Sequence, residues 1–340
     1  MRDPVTDFSY PDAWVAACST SGLLPDVERG FAVLTATGTV LRRGFSTGTT
    51  AAAACKAAVL SLKGPEPPSR VRITLPCGIA ADIPVEIPAG SLPGTARCRK
   101  DAGDYPGDVT AGIVFAAEVT GSREGVELVP GDGIGRFVRD TPRYPEGSPA
   151  ISPAPLACIL RSIEEACEET GMTGVQVKLS IPDGKEVALR TLNPKVGIEG
   201  GISILGTTGF VEPWDDHLGE SATERIAATV HPVLTTGRIG LRFARMMFPD
   251  HEVVLVGSRL RESIAAVNGS GTLIGLPGLI LRFIRPEILD GTGYQTVEEF
   301  SLDRKFSGRM KEALQMFREQ YPRIQVVLID RSGSVIGESP

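Results

Sequence analysis

The chain has 340 residues with 35 Lys and Arg against 41 Asp and Glu, a net charge of −6, so it lacks the basic field that nucleic-acid binding needs to displace counterions. At 42 % hydrophobic residues it can fill a core, which excludes a disordered chain, and its length fits two domains. Its 39 Gly and 26 Pro exceed ordinary usage and call for many tight turns and close backbone approaches.

Residues 1–40 read as an extension with a short helix near Pro11–Cys18 and a hairpin in which Phe31–Thr35 and Thr39–Arg43 flank Ala36-Thr37-Gly38. The opening Met1–Tyr10 has no apolar centre of the signal-peptide kind, which points to a cytoplasmic protein. Gly44–Thr50 then leads into a helix over Ala51–Leu62, with hydroxyls at its start for capping and Lys63-Gly64-Pro65 to stop it. Strands are expected at Val71–Leu75, Ala81–Ile87, Ile113–Val119 and Val126–Val129, a helix at Leu156–Thr170, and strands at Val175–Ile181 and Glu186–Leu192. Residues 41–222 therefore read as an α+β domain with a mixed sheet.

Beyond Ala222 strand and helix alternate: Val230–Leu234, helix Leu241–Phe248, Val253–Val256, helix Leu260–Val267, Leu273–Leu276, helix Leu279–Ile284, helix Asp303–Tyr321 and strand Gln325–Ile329. That rhythm predicts a smaller α/β three-layer, Rossmann-like domain over residues 223–340. The most apolar stretches, Ala51–Leu62 and Leu273–Ile284, are too short to span a bilayer, and no block of like charge suits a membrane surface. Six cysteines without a Cys-x-x-Cys pair, and His217, His231 and His251 far apart, argue for reduced thiols and against a protein-bound metal.

Five segments bear on candidate chemistry. Arg42-Arg43-Gly44-Phe45-Ser46-Thr47-Gly48-Thr49-Thr50 sets two guanidiniums before a hydroxyl-rich helix start, whose N–H groups favour anions; the simpler account is a capped helix with a small-residue packing face. Arg97–Asp104 followed by Asp108–Gly112 mixes both charges around glycines, where carboxylates accept protons and Arg99 or Lys100 binds acidic groups; a solvated turn is the plainer alternative. Gly131–Gly135 lacks dinucleotide-loop spacing and reads as a tight turn. Asn193–Gly209, rich in glycine and nearly uncharged, suggests backbone lying against a ligand or another backbone. Thr235–Gly240 follows a strand's carboxyl end, where α/β sheets bind ligands.

These motifs, in this order, resemble the CbiD family: Leu41–Lys56 (LRRGFSTGTTAAAACK), Lys100–Gly112 (KDAGDYPGDVTAG), Gly131–Gly135, Pro149–Pro155 and Asn193–Gly209. The extension and Glu212–Gly219 look most like its shorter archaeal members. The family's KDAGDDPDVT appears with Tyr105 and an extra residue before Asp108. Gly257–Glu262 stands where bacterial members have a Gly-His-x-Gly-Lys-like stretch, so roles of those residues do not carry over.

The resemblance implies a cobalt-precorrin-5B C-1 methyltransferase of anaerobic cobalamin biosynthesis, with S-adenosylmethionine as methyl donor and cobalt present only inside the tetrapyrrole substrate. It gives Arg42, Arg43, Ser46, Thr47, Thr49, Lys100 and Arg139 to substrate carboxylates, and Asp101 and Asp104 to any departing proton. The donor is left two places, Gly206-Thr207-Thr208-Gly209 or Thr236, Gly237 and Gly240. No nucleic-acid or membrane partner is implied; a homo-oligomer and transient contact with other cobalamin-pathway enzymes stay open. Two rivals remain, a non-catalytic tetrapyrrole carrier and a nucleotide-dependent reductase, the latter suggested by Ser258-Arg259.

Overall fold

A computed structural model describes the chain except for residues 65–66, 123, 142–143, 214–221, 258 and 340. His217, Ser258 and the end of the Glu212–Gly219 motif lie outside the described residues. The chain forms two compact units, Arg42–Asp215 and a second made of Met1–Leu41 with Asp216–Pro340. The extension thus clusters with the C-terminal residues.

The Arg42–Asp215 unit is built around α1 (Thr47–Leu60), in which every residue from Thr47 to Val59 is buried. A helix buried all round needs small side chains, and Ala51–Ala54, Ala57 and Ala58 supply them. On one side α1 packs on a mixed sheet of β1 (Thr95–Arg99), β2 (Val114–Ser122), β3 (Gly125–Pro130) and β4 (Gly174–Ser180) in the order β1-β2-β4-β3. The β1–β2 and β2–β4 pairs are antiparallel and β4–β3 is parallel. It also packs against α2 (Pro153–Thr170), which starts one turn earlier than expected because Pro suits the first helical turn, and stops at left-handed Gly171. The one charged residue in α1, Lys56, reaches Glu165 Oε2 of α2 at 2.6 Å and Arg72 O at 2.9 Å.

One expected strand is a helix. Glu186–Leu192 begins within α3 (Gly184–Ala188) and runs on through turns. Val187 and Ala188 are buried there, and Gly184 presses its backbone on that of Gly133, a tertiary contact that overrides the strand-like side chains. Gly131–Gly135, read as a tight turn, contains a short strand, Gly133–Ile134, paired in parallel with Gly201–Ile202. Burial pushes the Cys98 thiol up to about 12, with Glu86 adding to the shift.

The second unit contains a five-stranded sheet: β5 (Val233–Thr236), β6 (Val253–Leu255), β7 (Gly271–Gly275), β8 (Ile324–Ile329) and β9 (Val335–Glu338) in the order β6-β5-β7-β8-β9. All neighbours are parallel except β8 and β9. Helices α4 (Gly237–Met247), α5 (Leu260–Ala265), α6 (Pro277–Ile284) and α7 (Phe306–Gln320) alternate with the strands. Leu234, Leu273 and Val326 meet Phe300, Leu314 and Phe317 in its core. The extension packs on α4 through Phe8 on Phe243, ring centroids 5.3 Å apart, and through Ala36 N–H donating to Met246 O. No described helix is long and apolar enough to cross a membrane.

Candidate functional site

Arg42, Asp101 and Asp104 come together at the surface of the first unit. The 101–104 loop clasps the strand that precedes α1: Phe45 N–H donates to Asp101 O, and Asp104 N–H to Arg42 O. In return Asp104 Oδ2 accepts from Arg42 N–H at 2.8 Å, and Asp101 Oδ1 accepts from Gly103 N–H at 2.8 Å. The two backbones touch, since a Cβ on Gly103 would lie 2.5 Å from both Arg42 O and Gly44 N. The Arg42 guanidinium stands 3.7 Å from Asp101 and 3.6 Å from Asp104, and all three side chains are 41–57 % exposed. An exposed guanidinium held by carboxylates 3.6–3.7 Å away is oriented yet open to an incoming anion.

The hydroxyls that open α1 are arranged otherwise. Ser46 caps the helix, its Oγ accepting from Thr49 N–H at 3.2 Å. The remaining groups are taken by the 203–209 segment. Thr47 Oγ1 donates toward Ser203 O at 3.1 Å and accepts from Leu205 N–H at 2.8 Å; Thr49 Oγ1 donates to Gly209 O at 2.7 Å; Gly48 N–H donates to Leu205 O. Ser46, Thr47 and Thr49 are buried by this wrap. Gly206, at φ +133°, packs against the Ser46 side chain, and a Cβ on Gly209 would stand 2.9 Å from Leu75 Cβ. Thr208 gives its carbonyl to Cys77 N–H, while Thr207 is exposed. The expectation of an anion site at this helix start is therefore revised: the Ser46, Thr47 and Thr49 hydroxyls and the N–H groups of Ser46, Gly48 and Thr49 already have protein partners. Thr47→Val should cost about 1–3 kcal/mol, because it strands the Leu205 N–H; urea unfolding of the two proteins checks it.

Arg43 and Lys100 are likewise engaged. The Arg43 side chain is fully buried, pairs with Glu212 Oε2 at 3.2 Å and lies over the Phe210 ring. Lys100, also buried, forms an ion pair with Asp108, which additionally accepts from Thr110 N–H at 2.8 Å and Thr110 Oγ1 at 2.5 Å. Burial alone would raise the Asp108 carboxyl, but the Lys100 charge and these hydrogen bonds outweigh it and hold it below the usual carboxylate range. Both cations serve as internal ties rather than free clamps. Glu212 and Asp108 are the partners that sequence reading left unassigned; a buried cation demands a carboxylate, which is the signal that would have prompted the search.

Arg139 is exposed beside Gly197, where a Cβ would lie 3.1 Å from its Nε. Thr236, Gly237 and Gly240 belong to the other unit, at the carboxyl end of β5. Thr236 is the cap of α4 without a side-chain capping bond, and Gly237, at φ +72°, faces open space. Gly240 instead serves packing, as a Cβ there would stand 2.5 Å from Thr235 Oγ1. Among the described residues no group of three or more His, Cys, Asp or Glu could hold a metal ion.

The chain is similar to known proteins over its whole length. A family profile described as CbiD matches residues 34–213. "Cobalt-precorrin-5B C(1)-methyltransferase" proteins of Methanoregula boonei and Methanoculleus marisnigri are each 58 % identical to it, covering all of this chain and all of theirs. The corresponding protein of Methanosarcina acetivorans is 43 % identical over all of this chain and 99 % of its own. A crystal structure of a cobalamin biosynthesis protein (cbiD) from Archaeoglobus fulgidus superposes with a TM-score of 0.56 at 33 % identity, covering 97 % of this chain and 100 % of that one.

Proposed function

The chain belongs to the CbiD family, and on that footing we propose that it methylates cobalt-precorrin-5B at C-1, giving cobalt-precorrin-6A, with S-adenosylmethionine as donor. The observation that carries this reading is identity along the entire chain, both units included, with proteins of that name. S-adenosylmethionine, when bound, would supply a sulfonium methyl for transfer to an electron-rich ring carbon, with S-adenosylhomocysteine as the leaving thioether. The protein's task is then alignment, worth about 7–11 kcal/mol when a bimolecular step becomes effectively unimolecular.

The substrate is a flat polycarboxylate that brings its own cobalt, so it asks for guanidiniums rather than metal ligands. Arg42 is the residue to take one of its carboxylates, since it is exposed and pre-oriented by Asp101 and Asp104. Those two carboxylates are the proton acceptors we assign should a proton leave the ring. Asp101→Asn is expected to lower kcat by about 10²-fold or more; equal turnover of mutant and parent in a steady-state assay would remove Asp101 from that role.

We place the donor at the carboxyl end of β5. Three features support this. The strand order reverses between β5 and β7, the start of α4 has no side-chain cap, and Gly237 leaves room there. Thr236 and Gly237 would hold the donor's carboxylate, while Gly240 lets α4 approach the sheet, as a third glycine does in Rossmann-like domains. The alternative at residues 206–209 is filled by the chain's own Ser46 and Leu75. Calorimetric titration with S-adenosylhomocysteine tests the reading: saturable binding is expected, and tetrapyrrole binding without it would mark a carrier.

A further inference from the structure

The first unit presents an exposed apolar surface that neither its core nor the Arg42 cluster uses. Of the thirteen exposed large hydrophobics among the described residues, Leu189, Leu192 and Val196 fall within one eight-residue stretch. Val138 is a fourth, brought beside them by pairing. Arg136 and Phe137 are in antiparallel register with Glu199 and Ile198, and Val138 N–H donates to Gly197 O, which sets Val138 opposite the residue that follows Val196. Val196 N–H in turn donates to Leu192 O, one helical turn back. Singly, such residues are ordinary surface; grouped, they mark a binding face.

The rim of this face is cationic. Arg139 lies across Gly197, and Arg190 and Lys195 flank Leu192 and Val196 in the chain, both exposed. None of these three cations has a hydrogen-bonded or ion-paired partner among the described residues. The described residues also include exposed Asp140 and Glu199 close by in sequence, so the cationic excess is modest, and the apolar centre is what distinguishes the face. A flat ligand with a greasy ring face and carboxylates on its perimeter matches both parts: the ring covers Val138 and Val196, and the side arms reach the guanidiniums and the ammonium.

We propose that Val138, Leu192 and Val196 form a platform for the flat face of the tetrapyrrole, with Arg139, Arg190 and Lys195 taking its peripheral carboxylates. This rests on the proposed reaction for the identity of the ligand, and it assigns specificity to residues other than the Arg42 cluster. The three unpaired cations select the polycarboxylate macrocycle over a second copy of the chain, which would add the same cationic excess to the face.

The test uses the full-length protein and three variants, Val196→Asp, Val196→Ile and Arg139→Ala. For Val196→Asp, KM for cobalt-precorrin-5B is expected to rise about tenfold or more with kcat nearly unchanged, while the conservative Val196→Ile keeps the parent KM. Arg139→Ala should weaken binding and flatten its salt dependence. S-adenosylhomocysteine affinity and the thermal midpoint should stay at parent values in all three, which sets aside misfolding. A second readout needs no methyl transfer: the absorbance titration of the flat polycarboxylate uroporphyrin should weaken in parallel for Val196→Asp. If the parent transfers no methyl yet binds uroporphyrin through this face, the proposed reaction fails and the platform stands. Unchanged KM and unchanged uroporphyrin binding in a folded Val196→Asp protein overturn the platform. So does light scattering that shows a parent dimer split by that substitution.

Discussion

Gly133→Ala is expected to cost the Arg42–Asp215 unit more than about 4 kcal/mol, whereas Gly200→Ala should cost about 1 kcal/mol, although both glycines sit at φ +77°. The shared φ puts either alanine in the left-handed half of backbone space, so the difference reflects chiefly what lies beside each residue. A Cβ on Gly200 meets nothing within 4 Å. On Gly133 it would drive into the Ile181 carbonyl, and Gly184 and Gly201 both press on the Gly133 carbonyl from their own segments. Three chain segments meet here backbone to backbone, and none can retreat without breaking the Gly133–Ile134 pairing with Gly201–Ile202. Urea unfolding followed by circular dichroism gives both numbers. Equal losses for the two variants would contradict a packed glycine cluster.

Lys100→Met should be nearly as damaging, at about 3–5 kcal/mol, because it leaves the Asp108 carboxylate buried without its cation. The double variant Lys100→Met/Asp108→Leu should recover most of that loss, since two apolar groups replace the pair together. The same pair fixes an acid limit. The Asp108 carboxyl is held below its ordinary value of 3.8 by Lys100 and Thr110, so its contribution is complete above about pH 4 and is lost as pH falls through the depressed folded value. The parent's unfolding midpoint should therefore drop on acidification below about pH 4, and the double variant's should drop less. A parent and double variant with the same acid profile would mean the pair does not stabilise the fold.

Local chemistry made some of this legible in the sequence. The hydroxyl-capped alanine-rich helix and the strand–helix alternation after Ala222 follow from side-chain patterns over a few residues, although the helix begins at Thr47 behind a Ser46 cap, four residues before the expected Ala51. The glycine runs announced close approach but not its object. Gly206 and Gly209 face the side chains of Ser46 and Leu75, and Gly201 faces the Gly133 backbone, so the chain's own packing accounts for much of a run that the sequence left open between a ligand and another backbone. Those partners are 68 to 160 positions apart, beyond any local pattern. The same holds for Arg43, which a local view leaves as an anion clamp until Glu212 and Phe210 arrive from 167 to 169 positions away. Arg42, its neighbour, stays exposed and so remains our candidate for a substrate carboxylate, because the extended chain turns alternate side chains to opposite sides, one inward and one to solvent.

The central claim is methyl transfer to one carbon of the macrocycle, and a single-turnover reaction tests it most directly. Purified protein in excess would be mixed with cobalt-precorrin-5B and S-adenosylmethionine carrying a ¹³C-labelled methyl, and the product read by NMR and mass spectrometry. The account predicts one labelled methyl per macrocycle, at C-1, with S-adenosylhomocysteine formed in equal amount. Tight retention of the unlabelled macrocycle by the folded protein, with no S-adenosylhomocysteine formed, would contradict it and leave a carrier in its place.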